Sequence, residues 1–215
     1  LGEYTALLAA NSIQFYDAIK LVHARGTAMA QAGNEAKGTM AAIIGLSEEK
    51  LLEICNQASA DGIVQCANFN SPGQIVISGS INGVKKAMEL AKDAGAKLVK
   101  ELVVSGAFHS ELMKSAQIKF GNSLNSTNFY DAKIPVYANV TARPVQNKDE
   151  IKKLLFEQII NPVRWEDTIV NMINDGADEF YEIGPGKVLQ GLIKRINPDV
   201  KIFGIDKYPE VERYL

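Results

Sequence analysis

Residues 38–104, "GTMAAIIGLSEEKLLEICNQASADGIVQCANFNSPGQIVISGSINGVKKAMELAKDAGAKLVKELVV", decide how the chain folds. "GTMAAIIG" is a short apolar run bounded by glycines and predicts a strand. "SEEKLLEICNQAS" predicts a helix, with Ser47 as its cap and acidic residues in the first turn, where the helix dipole favours negative charge. "GIVQCANF" and "GQIVISGS" predict two strands joined by the breaker "NSPG". "INGVKKAMELAKDAGA" predicts an amphipathic helix that Gly95 ends, and "KLVKELVV" a closing strand. The order β-α-β-β-α-β is the split, ferredoxin-like arrangement. Residues 38–104 are therefore expected to form a small subdomain with its own core, inserted into a larger unit made of residues 1–37 and 105–215.

Outward from that block the pattern changes. From Ser12 to about Ala32 apolar residues recur at helical steps (Phe15, Ala18, Ile19, Val22, Met29), with Ser12 as the expected cap and Gly33 in "GNEAKG" as the stop. Downstream, "SGAFHSELMKSAQIKFGNSLNS" reads as a loop leading into a helix and "KIPVYANVT" as a strand. "KDEIKKLLFEQIINPVRW" reads as a helix stopped at Asn161-Pro162. A helix over "WEDTIVNMINDGA", a strand over "EFYEIG", a helix over "GKVLQGLIKRI" and a strand over "VKIFGI" complete the chain. Helices alternating with strands predict an α/β fold with a parallel-type sheet.

Composition narrows the function. A formal charge of -2 over 215 residues argues against a general nucleic-acid binder, which would carry a basic excess. No apolar run approaches the roughly 20 residues that span a bilayer, so no membrane role is expected. Cys55 and Cys66 sit in apolar stretches without metal-ligand spacing and read as reduced, buried thiols of a cytoplasmic protein. With two histidines and no His/Cys/acid cluster, no metal site is expected.

Two residues stand out chemically. Arg25 falls among Ala18, Leu21, Val22 and Met29, inside the apolar arc of its helix, where a guanidinium needs an anion. A core carboxylate, a side chain reaching the edge of the arc, or a fork waiting for a substrate carboxylate would each satisfy it. His109 lies at a strand-to-helix junction, either bonded to backbone there or presented for catalysis. His23 reads as structural. Around the Ser71-Pro72-Gly73 turn stand Asn68, Asn70 and Gln74, which turn chemistry partly explains. Gly184 and Gly186 mark a strand-to-helix turn able to cradle an anion, although they match no phosphate-binding fingerprint.

The first residues carry the argument further. "LGEYTALLAA" resembles the second half of the GHSLGEY nucleophile elbow of malonyl-CoA:acyl carrier protein transacylases, the malonyltransferases of fatty acid synthesis. "VHARGTAMA", "GTMAAIIGL", "NFNSPGQIVISG", "SGAFHSELM", "NPVRWEDTI" and "EIGPGKVLQGLIKRI" resemble family blocks in the same order and at matching separations. The resemblance covers the whole chain. It implies a hydrolase-like parallel-sheet core, incomplete in this chain, carrying the inserted subdomain. It also implies a nucleophilic serine immediately before Leu1, with roughly the first third of the enzyme upstream.

The family's roles then map residue by residue. The backbone N–H of Leu1 corresponds to an oxyanion donor, since the elbow aims the amide after the serine at the developing charge. Gly2 would permit close packing at the turn, and Leu7 and Leu8 would anchor the helix behind it. His109 corresponds to the general base, oriented by the backbone carbonyl of Gln158 rather than by an acid. Arg25 corresponds to the clamp on the malonyl carboxylate. "GAFH" resembles the HAFH signature of malonyl-selective enzymes, with Phe108 beside the malonyl C2 and Gly106 departing from the pattern. Asn68, Asn70 and Gln74 lie in a block near the cleft and are expected to contact or support substrate.

The resemblance implies malonyl-CoA and acyl carrier protein as substrate and partner. No cofactor is implied, because a thioester is already activated. Lys187, Lys194 and Arg195 are expected to form a basic patch for the acidic carrier protein, and the enzyme is expected to act as a monomer. An acyltransferase domain of a polyketide synthase and a serine hydrolase acting on thioesters are the competing readings. Arg25 speaks against the hydrolase, which has no use for a carboxylate clamp.

Overall fold

A short helix, α1 (Gly2–Ala9), leads through Asn11, whose backbone is left-handed (φ 57°), into a long helix, α2 (Phe15–Glu35). The computed structural model describes residues 1–212. α2 begins three residues later than its sequence suggests. Ser12 does not cap it; its hydroxyl instead donates to the Tyr130 carbonyl at 2.7 Å, tying the α1–α2 turn to a distant segment. The buried face of α2 runs through Ala18, Leu21, Ala28, Met29 and Ala32, whereas Phe15 and Ile19 are more than half exposed. Gly33 does not end the helix. It lies inside it, where a side chain would strike Ser105 and Gly106.

The next elements are β1 (Gly38–Ile44), α3 (Glu48–Ala58), β2 (Val64–Ser71), β3 (Gln74–Ser80), α4 (Ile81–Asp93) and β4 (Leu98–Leu102). Ser47 caps α3 by accepting from Lys50 N, and Ser80 caps α4 by accepting from Gly83 N. β1 runs antiparallel to both β3 and β4, and β2 antiparallel to β3. Because strand side chains alternate between faces, each sheet surface has its own neighbours. One side, with Ala41, Ile43, Val64, Cys66, Ile75 and Ile77, packs on Leu51, Ile54 and Ala58 of α3 and on Val84, Ala87 and Ala91 of α4. The other side presents Met40, Ala67 and Val76 toward Phe108.

The chain continues with α5 (Lys114–Asn125), β5 (Val136–Ala138), β6 (Arg143–Val145), α6 (Lys148–Glu157), β7 (Val163–Arg164), α7 (Trp165–Asn174), β8 (Glu179–Ile183), α8 (Val188–Ile196), β9 (Lys201–Ile205) and α9 (Tyr208–Val211). β6 and β7 are not apparent in the sequence. β6 carries Pro144 and pairs only with β5, and β7 is two residues long and runs parallel to β2. The five-stranded sheet is therefore mixed, in the order β4-β1-β3-β2-β7. Among the described residues parallel pairing is confined to β2 with β7 and β8 with β9, less than the alternation of elements suggests. α6 also stops earlier than its sequence implies. The Asn161 side chain donates to the Glu157 carbonyl at 2.9 Å, and the Gln158 carbonyl has no helical N–H to accept from, because the residue four positions on is Pro162. A second core joins α1, α2, α5 and α6 around Tyr4, Leu21, Phe120 and Leu155.

Candidate active site

The loop after β4 is held from three sides. Gly106 is buried against α2; a Cβ there would lie 3.1 Å from the Cα of Gly33. A histidine at 106, as in the HAFH pattern, would require this contact to widen by a few tenths of an ångström. Ser110 donates to the Ala107 carbonyl at 2.6 Å, closing the turn. Between them His109 adopts φ 57°, a left-handed conformation uncommon for a residue with a side chain, so its surroundings must fix it. Gln65 on β2 does so: its Nε2 donates to the His109 carbonyl at 3.2 Å and the Ile160 carbonyl at 3.4 Å, while its Oε1 accepts from Glu111 N at 3.3 Å.

The imidazole is fixed at one nitrogen. Nδ1 donates to the carbonyls of Gln158 (3.2 Å) and Asn161 (3.0 Å), both just beyond the end of α6. With both partners acceptors, Nδ1 carries the proton and Nε2 the lone pair. Burial lowers the His109 pKa from its ordinary 6.5, and the Arg25 charge lowers it further, against the opposing pull of the two carbonyls. The ring is thus a neutral base at neutral pH.

His109 lines a cleft of about 460 Å³ together with Leu1, Arg25, Met29, Met40, Asn68 and Phe108. Arg25 is half-buried, its Nε fully enclosed and without a hydrogen-bond partner. Its guanidinium lies over the ring of the buried Tyr4, 5.9 Å from the centroid, a contact in which the ring face attracts a cation. Burial pushes the Tyr4 phenol far above its usual range, and the Glu3 charge adds to this, against the opposing pull of Arg25. Among the described residues no carboxylate pairs with Arg25 within 4.0 Å. A cation and a neutral imidazole facing one partly apolar cleft can bind an anionic acyl group and move a proton beside it.

Other residues lie elsewhere. Asn70 and Gln74 do not line the cleft; they stand at the far end of the β2–β3 hairpin, and the Gln74 side chain accepts a hydrogen bond from Arg195. A Cβ at Gly2 would meet no heavy atom within 4 Å among the described residues, so its expected close packing is not observed. Leu7 is buried and Leu8 packs beside it. The anion held near the glycine turn is an internal one, and the first turn of α8 rather than the glycines holds it: Glu182 accepts from the amides of Leu189 and Gln190 at 3.1 Å each. His23 is exposed on α2.

One residue that sequence inspection passes over is Glu3. It is 9% exposed, and its Oε2 accepts from Asn139 N (3.1 Å), Asn139 Nδ2 (2.6 Å) and Gln158 Nε2 (2.6 Å). An acid in the first turn of a helix is the ordinary pattern, so its sequence position alone gives no signal.

A family profile described as acyl transferase domain matches residues 1–201. A malonyl CoA-acyl carrier protein transacylase of Bacillus subtilis is 46% identical over 99% of this chain and 67% of its own length. An acyl-carrier-protein-S-malonyltransferase from Bartonella henselae has a solved structure with TM-score 0.94 and 41% identity, over all of this chain and 68% of that one. A malonyl-transacylase solved in complex with its type II polyketide acyl-carrier protein has TM-score 0.94 and 38% identity, over 99% of this chain and 69% of that one.

Proposed function

This chain belongs to the acyl transferase domain family, and on that premise we propose that its cleft moves a malonyl group from malonyl-CoA to the phosphopantetheine thiol of acyl carrier protein. The carrying observation is Arg25, a cation with no carboxylate within 4.0 Å among the described residues, which shares its cleft with His109. The chain is an acyltransferase of fatty acid biosynthesis acting on a malonyl thioester.

The nucleophile in this reading is a serine joined to Leu1; that Leu1 and His109 line the same cleft supports it. Its Oγ attacks the thioester carbonyl as Nε2 of His109 takes the proton. The N–H of Leu1 donates to the oxyanion, an interaction typically worth about 2.7–4 kcal/mol. The C–S bond then breaks, and CoA leaves as the thiol with the proton from His109. In the second half the carrier thiol attacks the acyl-serine, passes its proton to His109, and the proton returns to the serine oxygen. Arg25 holds the malonyl carboxylate through two parallel hydrogen bonds, and Phe108 stands beside C2. The preference against a C2 methyl follows from fit alone, about 1–3 kcal/mol. Asn68 supports the substrate from β2, whereas Asn70 and Gln74 are placed to support only the hairpin behind it.

Architecturally we read residues 38–104 as a ferredoxin-like subdomain inserted between the two parts, 1–37 and 105–215, of a hydrolase-like core. The βαββαβ order and the separate apolar cluster between its sheet and helices support this. None of the described helices is long and apolar enough to cross a membrane. A monomeric, cytoplasmic enzyme is the setting we propose.

The test is a substrate comparison in the intact protein. Two charge-assisted hydrogen bonds at about 1.5–3 kcal/mol each correspond to roughly 100- to 10,000-fold in affinity. Arg25→Ala should lower kcat/KM for malonyl-CoA by about that range while sparing or raising turnover of acetyl-CoA. Arg25→Lys, a point charge without the fork, should recover only part. Equal losses on both thioesters would remove the clamp, and a codon other than serine before Leu1 would remove the mechanism.

A further inference from the structure

The carboxylate of Glu3 is buried, and the groups that hold it are neutral amides contributed from far along the chain: Asn139, 136 residues away, and Gln158, 155 residues away. Burying a carboxylate costs several kcal/mol unless donors replace its water. Three donors converge on one oxygen, which offsets that cost only while all three stay in place. An apolar residue would serve core packing equally well, as the neighbouring Tyr4 and Leu7 do. The Gln158 side chain has the complementary arrangement. Its Nε2 donates to Glu3, its Oε1 is buried with no partner among the described residues, and its backbone carbonyl accepts from His109 Nδ1.

We propose that Glu3 is a positioning residue for the base: by gripping the Gln158 side chain it fixes the carbonyl that orients the His109 ring. This couples α1, whose N-cap residue Leu1 lines the cleft, to the imidazole across it. The inference rests on His109 acting as the base. It also explains why position 158 carries glutamine although only its backbone touches the histidine. The tie is one of several on the same loop, since Asn161 O also accepts from Nδ1 and Gln65 holds the His109 backbone. Losing it should loosen the ring rather than release it.

The test follows the His109 ring by NMR titration in the intact protein, with the signal assigned by its loss in His109→Asn, alongside kcat/KM for malonyl transfer. A carbonyl accepting from Nδ1–H favours the imidazolium, so loosening Gln158 lowers the His109 pKa. Glu3→Leu and Gln158→Leu should each move the titration to lower pH. Each should reduce kcat by about 10-fold with KM for malonyl-CoA nearly unchanged, because Arg25 is untouched. The double variant should be no worse than either single one. Glu3→Gln keeps an oxygen acceptor in place and should restore both readouts.

An unmoved titration in Gln158→Leu, whatever happens to its unfolding midpoint, overturns the proposal. So does a shifted titration with unchanged kcat. If Glu3→Leu does not fold, Gln158→Leu decides alone, since it removes a single hydrogen bond with little change of volume. Full activity in His109→Asn would instead refute the functional reading itself, independently of the Glu3 variants.

Discussion

Arg25 does two things to the cleft that pull in different directions. It supplies the positive charge that a diacid thioester requires, and it opposes protonation of the imidazole it faces. The second effect suits the base we propose: His109 stays unprotonated at neutral pH and is ready to accept a proton without first losing one. Burial is the larger cause and Arg25 the second, so replacing the charge relieves only part of the depression. In Arg25→Met, which keeps the apolar stem but not the charge, the His109 ring should titrate at higher pH than in the unaltered protein. The acid limb of kcat/KM measured with acetyl-CoA should move up with it, since that limb reports the free enzyme. For the unaltered protein the limb should lie below the ordinary 6.5 of an imidazole. An unmoved titration in Arg25→Met would mean that the guanidinium lies too far from the ring to act on it.

At the scale of elements, what matters is how closely α2 approaches the loop that carries His109. Gly33 and Gly106 meet back to back, each occupying the space a Cβ would need on the other. Alanine at 33 would gain about 1 kcal/mol of helix propensity. The clash is with the backbone of Ser105 and Gly106, which cannot swing aside as a side chain can, and overpacking costs typically about 1–3 kcal/mol. The clash should win: Gly33→Ala is expected to lower the urea midpoint and, by displacing the loop three residues before His109, to reduce kcat/KM by about 10-fold or more. A stabilised, fully active variant would show that the loop yields freely. The same contact explains what the sequence could and could not convey. α3, α4 and the strands between them follow local periodicity and caps, and were legible on that basis. Gly33 reads as a helix stop because its reason for being glycine lies 72 positions away. β7 and the early end of α6 likewise depend on partners distant in sequence or on a side-chain cap, not on any local pattern.

Over the whole molecule, the cleft lies between the helical core and the face of the sheet turned away from α3 and α4. Met40 and Asn68 come from the sheet, Arg25 and Met29 from α2, and Phe108 touches the apolar clusters on both sides. Arg25 stands out in the sequence because it interrupts the apolar arc of its helix, and His109 because it sits at a strand-to-helix junction, whereas Glu3 and Gln65 fit their local patterns and are revealed only by what they hold. Charge raises the remaining question, because an acidic carrier protein must dock on a chain whose own net charge is -2. Lys187 and Lys194 are exposed at opposite ends of α8, and the exposed Arg195 gives one N–H to Gln74 while keeping others available. If these three cations steer the carrier protein, their effect must be screened by salt, since exposed charges lose contact beyond about 10 Å at 0.1 M ionic strength. Reversing all three to glutamate should raise KM for acyl carrier protein several-fold at low salt, with the difference closing as salt is added. The rate of acylation by malonyl-CoA should not change, because none of the three lines the cleft. Equal KM values at low salt would place the docking surface elsewhere. A loss confined to the malonyl-CoA half-reaction would instead assign these cations to the phosphates of CoA.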